Sequence, residues 1–341
     1  MVLVTGGTGL LGARLLFDLI KSGEDVVAIK RPAGNLTVVK GIFNYYEKNA
    51  GDELFSKIQW KEGDVLDLYS LMDAIEPGAE VYHCAAMISF NTKAREKMMK
   101  ANVEGTANVV NVCLEKKAKK LCYASSVAAI GSAKEGELAD EKVRWKSSLG
   151  KSNYSISKFA AEKEVWRGIA EGLDAVIVNP SIIIGPGNWK KSSARLFLDV
   201  WKGMKFYTSG INGFVDVRDV SKIMIRLLKS GISGERFLLN SANLPFKAVL
   251  DSIAGALQKP APSIKMPPGF TEVFWRIEKL RAMLTRSKPI ITKEIAREAS
   301  SKHYYSANKV KEALGLEFIT IEQSIKDTAL VFLEQAQRLK N

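Results

Sequence analysis

Over the first 180 residues, short β-branched runs alternate with longer stretches whose apolar positions recur every three to four residues. Val2–Thr5, Val26–Ile29, Ile58–Lys61, Val81–Cys84, Leu121–Ala124 and Ala175–Val178 read as strands. Leu10–Lys21, Leu68–Ile75, Ala94–Glu115 and Ser155–Glu171 carry helical spacing, and Asn35–Asn49 carries it more faintly. Such alternation implies right-handed crossovers and a parallel sheet covered by helices on both faces.

Beyond Gly187 the rhythm breaks. Val215–Val220 leads into an apolar helix over Ser221–Leu228, followed by a short strand, Arg236–Leu239, and a helix over Pro245–Leu257. A Pro-rich passage from Pro260 to Pro268 ends at an amphipathic stretch in which Phe270, Val273, Phe274, Ile277, Leu280, Met283 and Leu284 share one helical stripe. In open α/β sheets ligands sit outside the carboxyl ends of the strands. The expected organisation is therefore a ligand-binding α/β core over 1–187, with 214–240 returning to it. Residues 188–213 and 241–341 would form a smaller mixed α/β cap over the substrate.

Composition narrows the class. The 341 residues are 46% hydrophobic and 26% charged, which excludes a disordered chain or a disulfide miniprotein. Cys84, Cys113 and Cys122 form no CxxC pair, and with only His83 and His303 beside them no zinc spacing can be assembled, so no metal is expected. No apolar run approaches the roughly 18–20 residues that cross a bilayer. The opening Met1-Val2-Leu3-Val4 runs straight into a glycine turn, and together with the free thiols this points to the cytoplasm. The net charge of +13 comes largely from residues 258–311, where twelve Lys/Arg stand against four Glu. Without interleaved aromatics of a known module, this reads as a solvated face or a counter-surface for an anionic substrate, not as a nucleic-acid site.

Thr5-Gly6-Gly7-Thr8-Gly9-Leu10-Leu11-Gly12 lies between the first strand and the first helix. Glycine there permits a tight turn, lets the backbone approach a pyrophosphate, and leaves the helix N-terminus facing the anion. The expected fold is thus a Rossmann-type doubly wound parallel sheet. Where an NAD site usually has a carboxylate after the second strand, this chain has Lys30-Arg31. A guanidinium can pair with a 2′-phosphate and stack on adenine, so NADP(H) is expected ahead of NAD(H). Asp64-Val65 falls where a carboxylate can accept from the adenine amino group, or else cap a turn.

Tyr154 and Lys158 stand four apart at the start of a helix and so share a face. An ammonium one turn away favours phenolate and draws a tyrosine toward the range useful for acid–base work. Ser126, at the carboxyl end of Leu121–Ala124, is positioned to donate to a carbonyl oxygen beside Tyr154.

With these residues the chain resembles the extended short-chain dehydrogenase/reductases, from Met1 to about Leu316. The resemblance rests on TGGTGLLG (5–12), GDVLD (63–67), VYHCAA (81–86), NVEGTANVV (102–110), YASSVAAIG (123–131), YSISK (154–158), NPSIIIGPG (179–187) and FVDVRDV (214–220). Arg31 and VKEALGL (310–316) look most like the dihydroflavonol-reductase and 3β-hydroxysteroid-dehydrogenase side.

The resemblance implies Ser126 as catalytic hydroxyl, Tyr154 as proton donor and acceptor, and Lys158 as its modulator and ribose ligand. Asn102 would be a structural or water-organising residue, and His83 structural. Gly6, Thr8, Gly9, Leu10, Leu11 and Gly12 would hold the pyrophosphate, Ala85 and Ala86 would flank the cofactor, and Pro180-Ser181 would pack on the nicotinamide. Met87, Ser89, Phe90, Val127, Ile182, Asn188 and Trp189 would line a largely apolar substrate site. A homodimer through 94–115 and 155–171 and a monomer both stay open.

The expected activity is NADPH-dependent, reversible reduction of a ketone or aldehyde on a small molecule. A nucleotide-sugar epimerase with tightly held NAD and a non-catalytic NADP sensor are the alternatives. Dehydratases of this type usually have an acidic pair after the catalytic hydroxyl, where this chain has Val127-Ala128-Ala129.

Overall fold

The computed structural model describes residues 1–89, 91–131, 133, 136–266 and 300–338. Seven parallel strands form the main sheet: β1 (Val2–Thr5), β2 (Val26–Lys30), β3 (Gln59–Glu62), β4 (Glu80–His83), β5 (Lys120–Ala124), β6 (Ala175–Pro180) and β10 (Glu235–Leu239). Their order is β10-β6-β5-β4-β1-β2-β3. The order reverses between β1 and β4, which opens a crevice at their carboxyl ends. All six strands read from the first 180 residues are in the sheet, with bounds within two residues of expectation. β1, β5 and β6 are buried along their whole length, as uninterrupted apolar runs require, whereas Gln59–Glu62 is more polar and occupies an edge.

Alternate residues of each strand feed two cores. Val4, Ala28, Tyr82, Cys122 and Val176 pack with Leu15, Leu16 and Leu19 of α1 (Leu10–Lys21) on one face. Leu3, Val27, Val81, Leu121 and Ile177 pack on the other with α6 (Gly105–Glu115) and α7 (Asn153–Ala170). The faint helical spacing at 35–49 is α2 (Thr37–Tyr46), followed by an unforeseen α3 (Gly51–Ser56); α4 is Leu68–Ala74. The predicted helix over 94–115 is not uniform. α5 (Arg95–Met99) widens into a π-turn at Lys100–Glu104 before α6 begins.

The later chain departs further from expectation. α9 (Val217–Leu228) starts before Ser221, because the Asp216 carboxylate caps the Arg218 amide. The expected mixed α/β cap has a second sheet whose strands were not read individually: β7 (Ile182–Ile184), β9 (Ile211–Asp216) and β11 (Ala242–Pro245), joined in the order β11-β9-β7, with β8 (Phe206–Tyr207) pairing separately with β12 (Ile264–Lys265). It carries α8 (Arg195–Trp201), α10 (Phe246–Ala256) and α12 (Ile321–Arg338), packed around Phe197, Phe214, Ile253, Ile325 and Phe332.

Two stretches cross the expected domain bounds. Ile182–Ile184, placed within the 1–187 core, pairs with β9 because the chain turns out of the main sheet after Pro180. Val310 and Leu314 of α11 (Asn308–Leu314), placed in the cap, bury their side chains in the core of the main sheet. Phe90 and the amphipathic stripe at 270–284 lie outside the described residues, as does most of the basic stretch. Among the described residues no helix is long and apolar enough to cross a membrane, and no cluster of three or more His, Cys, Asp or Glu is arranged to hold a metal.

Candidate active site

The turn after β1 is built for close backbone approach. Gly6 has φ +71°, and a side chain there would put its Cβ 2.5 Å from the Ala85 amide nitrogen. A Cβ on Gly12 would stand 2.2 Å from the Gly6 carbonyl oxygen. Gly9 caps α1 with no side-chain acceptor, so the amides of Leu10, Leu11 and Gly12 open the helix with the unsatisfied donors of a first turn. Thr8 and Gly9 are exposed at its mouth. Donors of this kind, with the positive end of a helix dipole behind them, fit the pyrophosphate of a dinucleotide.

At the end of β2 the two basic residues differ. Lys30 is paired with Glu62 at 2.7 Å, while Arg31 is exposed and has no ion pair among the described residues. The Gly34 amide donates to the Arg31 carbonyl at 2.7 Å, closing a tight turn beneath that side chain. Asp64 accepts from the Leu66 amide at 3.0 Å, which makes it a turn-capping residue. Val65 is pinned on α6, its carbonyl accepting from Asn108 at 3.0 Å and its side chain filling the space above Gly105.

The carboxyl ends of β1 and β4 are tied to α6 and the π-turn before it by a chain of hydrogen bonds. Thr5 Oγ1 accepts from the Ala85 amide at 3.3 Å and lies 2.7 Å from His83 Nδ1. His83 Nε2 meets Thr106 Oγ1 at 3.0 Å, and Thr106 donates onward to the Asn102 carbonyl at 2.6 Å. Since the Thr106 proton is committed to Asn102, His83 donates from Nε2 and accepts at Nδ1, the neutral tautomer. Burial accordingly pushes His83 down to about 3, with the Lys158 charge adding to the effect. This histidine is a structural strut, as its place in the strand suggested.

Tyr154, Ser126 and Lys158 converge at the β5–α7 junction. The Ser126 oxygen caps a short 3₁₀ turn by accepting from the Ala128 amide at 3.2 Å, and its hydroxyl is hydrogen-bonded to Tyr154. Burial raises the Tyr154 hydroxyl above its ordinary value, and the Ser126 contact pulls it back. Lys158 is only 1% exposed. It donates to the Tyr123 phenol oxygen at 2.8 Å and to the Ala124 carbonyl at 2.9 Å. Burial pushes it down to about 8, opposed by the charge of Glu162 and by Cys84. Shared helical phase brings the two residues to one face, but β5 takes up two of the ammonium protons, and the lowering at Tyr154 comes through Ser126.

The other expected positions are scattered more widely. Ala85 lies against Gly6, half-buried, and Ala86 next to it is exposed. Pro180 is buried at the end of β6, and Ser181, also buried, sets its Cβ against Gly213. Met87 is half-buried, its backbone held by Asn102, and Ser89 accepts from the Asn91 amide at 3.2 Å. Val127 packs with Ile130 and Leu238. Ile182 and Trp189 face the cap core, and Asn188 is exposed. Trp189 donates to Gln335 of α12 at 2.6 Å and stands edge-on to Phe332, so it braces the cap.

Sequence reasoning passed over Tyr123, Glu162, Asn179 and Arg236, which surround Ser126 and Lys158. One signal was available: Glu162 continues the Tyr154–Lys158 spacing by a further four residues.

With the geometry in place, the comparisons with known proteins agree on the class. Residues 2–239 match the NAD dependent epimerase/dehydratase family, and the chain belongs to that family. It is 30% identical to "Putative dihydroflavonol 4-reductase" of Synechocystis sp., over 95% of this chain and 92% of that one. It is 29% identical to Sterol demethylase protein B of Methylococcus capsulatus, over 78% and 77% of the two chains. Among solved structures it superposes on the one described as gox2253 with a TM-score of 0.81 and 28% identity, covering 99% of both chains. The protein is an NAD(P)-dependent oxidoreductase of the extended short-chain dehydrogenase/reductase type.

Proposed function

We propose that this protein is an NADPH-dependent carbonyl reductase acting on a ketone or aldehyde of a largely apolar small molecule. The observation that carries the reading is the Ser126–Tyr154 hydroxyl pair and the buried Lys158 at the carboxyl end of β5, two strands from β1 and its glycine turn. When bound, the dihydronicotinamide supplies a hydride to the carbonyl carbon. The chain's own residues deal with the oxygen. Ser126 donates to it as charge builds, and Tyr154 Oη gives up the proton that completes the alcohol. Lys158 has one ammonium proton beyond those donated to Tyr123 and Ala124, which suits it to a ribose hydroxyl and to stabilising the tyrosinate that remains. In the oxidative direction each proton moves the other way.

The preference for NADPH rests on Arg31, exposed and unpaired among the described residues where NAD enzymes place a carboxylate. Two relatives named for dihydroflavonol and sterol substrates support an apolar ring system. Elimination chemistry is disfavoured because Ser126 is followed by Val127-Ala128-Ala129, folded as a short turn without a carboxylate.

The test is NADPH oxidation by the purified protein against aryl ketones, dihydroflavonols, steroid ketones, aldehydes, acyl-CoA thioesters and keto-sugar nucleotides. We expect turnover of at least one apolar carbonyl, lowered by a factor on the order of 10² or more in Tyr154→Phe with NADPH affinity retained. Lys158→Met should impair both affinity and rate. Co-purified NAD that resists exchange, with no carbonyl reduced, would instead mark an epimerase.

A further inference from the structure

Behind the candidate site lies a buried carboxylate that the proposed chemistry leaves unused. Glu162 is 2% exposed and stands one helical turn beyond Lys158 on α7. Its Oε2 accepts from Ser125 Oγ at 2.6 Å and from Asn179 Nδ2 at 2.7 Å. Its Oε1 accepts from Arg236 Nη1 at 3.2 Å and from Trp166 Nε1 at 3.3 Å. The amide nitrogen, indole and guanidinium can only donate, so both oxygens of the Glu162 carboxyl are satisfied.

Each partner leads toward the site. Ser125 is the neighbour of Ser126, and the same Asn179 nitrogen that reaches Glu162 also donates to the Ser126 carbonyl at 3.0 Å. Arg236, from β10, donates through Nε to the Glu141 carbonyl at 3.2 Å and through Nη2 to the Val143 carbonyl at 3.3 Å. Glu162 and Arg236 thus link the end of β5 to the loop that precedes Tyr154.

We propose that Glu162, held by Arg236, is a positioning residue: it fixes the segment bearing Ser126 and supplies the negative charge that offsets the buried Lys158 ammonium. The inference rests on the reductase reading for its consequence in turnover, but not for its electrostatics. The groups around Lys158 are Tyr123 on β5, His83 on β4 and Cys84 just after it, and Tyr154 and Glu162 on α7, with Arg236 beyond Glu162 on β10. Glu162 is the one carboxylate among them. A full charge one helical turn away in a poorly hydrated site moves a titration by a unit or more.

The experiment follows Lys158 directly, by nuclear magnetic resonance of the full chain labelled at lysine Cε, with the resonance assigned by its loss in Lys158→Met. Glu162→Gln should shift the Lys158 midpoint down by about one unit or more, and Arg236→Met should shift it up. Glu162→Asp, which keeps the charge, should leave it near the wild-type position. Circular dichroism checks that each variant is folded, and the opposite sign expected for Arg236→Met keeps the test open if Glu162→Gln does not fold.

An unchanged midpoint in both Glu162→Gln and Arg236→Met would overturn the inference. In NADPH oxidation the alkaline limb of the rate profile should move with the midpoint, and a one-unit shift should lower Glu162→Gln turnover at pH 8 roughly fivefold relative to wild type. A midpoint that moves while the rate profile stays fixed would support the charge coupling and count against the role proposed for Lys158 in turnover.

Discussion

Asn102 closes two hydrogen bonds on the backbone of Met87, accepting from its amide at 2.7 Å and donating to its carbonyl at 3.0 Å. The same side-chain nitrogen reaches Ser157 Oγ at 3.0 Å, and that hydroxyl donates to the Tyr154 carbonyl at 2.8 Å. Asn102 sits on the π-turn at Lys100–Glu104, where the helix widens. One buried amide therefore holds the loop after β4 against the helix that carries Tyr154 and Lys158. Asn102→Ala should cost about 2–4 kcal/mol, since it strands buried groups of Met87 and Ser157. Asn102→Asp should cost at least as much, because a carboxylate would face the Met87 carbonyl. Urea midpoints of the two variants check the ranking, and equal stability to wild type would refute it.

Arg31 provides a separate test of cofactor choice. It is exposed at the end of β2, while its neighbour Lys30 is taken up by Glu62. A charge-assisted contact to a 2′-phosphate contributes about 1.5–3 kcal/mol, or roughly one to two powers of ten in affinity. Arg31→Ala should weaken NADPH by that factor with NADH nearly unchanged, and Arg31→Asp should bring the two cofactors close together. Fluorescence titration of both nucleotides decides it. A loss shared equally between NADPH and NADH would mean that Arg31 does not read the 2′ position.

The glycine turn makes a sharper claim about backbone. Gly6 combines φ +71° with a position where Cβ would fall 2.6 Å from the Cys84 carbonyl carbon. Gly6→Ala is thus strained in conformation and obstructed by main chain that cannot rotate away. Gly23 also has positive φ, at +84°, but nothing lies within 4 Å of its Cβ direction. Gly6→Ala should abolish cofactor binding and lower the melting temperature, whereas Gly23→Ala should cost about 1 kcal/mol of stability and leave binding intact. Calorimetry with and without NADPH separates the two.

Much of this architecture was legible because local pattern and tertiary demand coincide in the first half of the chain. Val2–Thr5 and Leu121–Ala124 are apolar on both sides, as strands buried between helices must be. The cap was less legible. β7 and β9 are short pieces whose pairing joins Ile182 with Phe214, a relation no local window contains. No element was read at α11, yet Val310 and Leu314 complete the core of the main sheet.

Within the site, spacing brought Tyr154 and Lys158 to one face. It could not foresee that Lys158 would be occupied by Tyr123 and Ala124, because that depends on which way a long side chain bends in a packed interior. Glu162 was hidden for a similar reason. An acidic residue in a helix reads as surface until the fold delivers Asn179 and Arg236 to it.

His83 predicts how stability responds to acid. Its imidazole is buried neutral between Thr5 and Thr106 and held down to about 3, against an ordinary value near 6.5. Below pH 6.5 the unfolded chain takes up a proton that the folded chain refuses, so stability falls with pH until the folded histidine also titrates near 3. Within that window the slope approaches about 1.4 kcal/mol per pH unit. Asp219 acts in the opposite sense. Burial raises its carboxyl to about 6, so the folded chain binds a proton before the unfolded one and gains stability as pH drops toward 4. The two effects oppose each other between about pH 6 and 4, and below that the histidine acts unopposed by Asp219.

His83→Gln keeps donor and acceptor capacity without a titrating ring. It should be less stable at pH 7.5 because the fit between the two threonines is lost. It should also have a stability curve that rises from pH 6.5 toward pH 4.5, with Asp219 no longer opposed by the histidine. Denaturant unfolding at several pH values compares the curves. If wild type and His83→Gln lose stability in parallel on acidification, the buried histidine is not the group that makes this fold sensitive to acid.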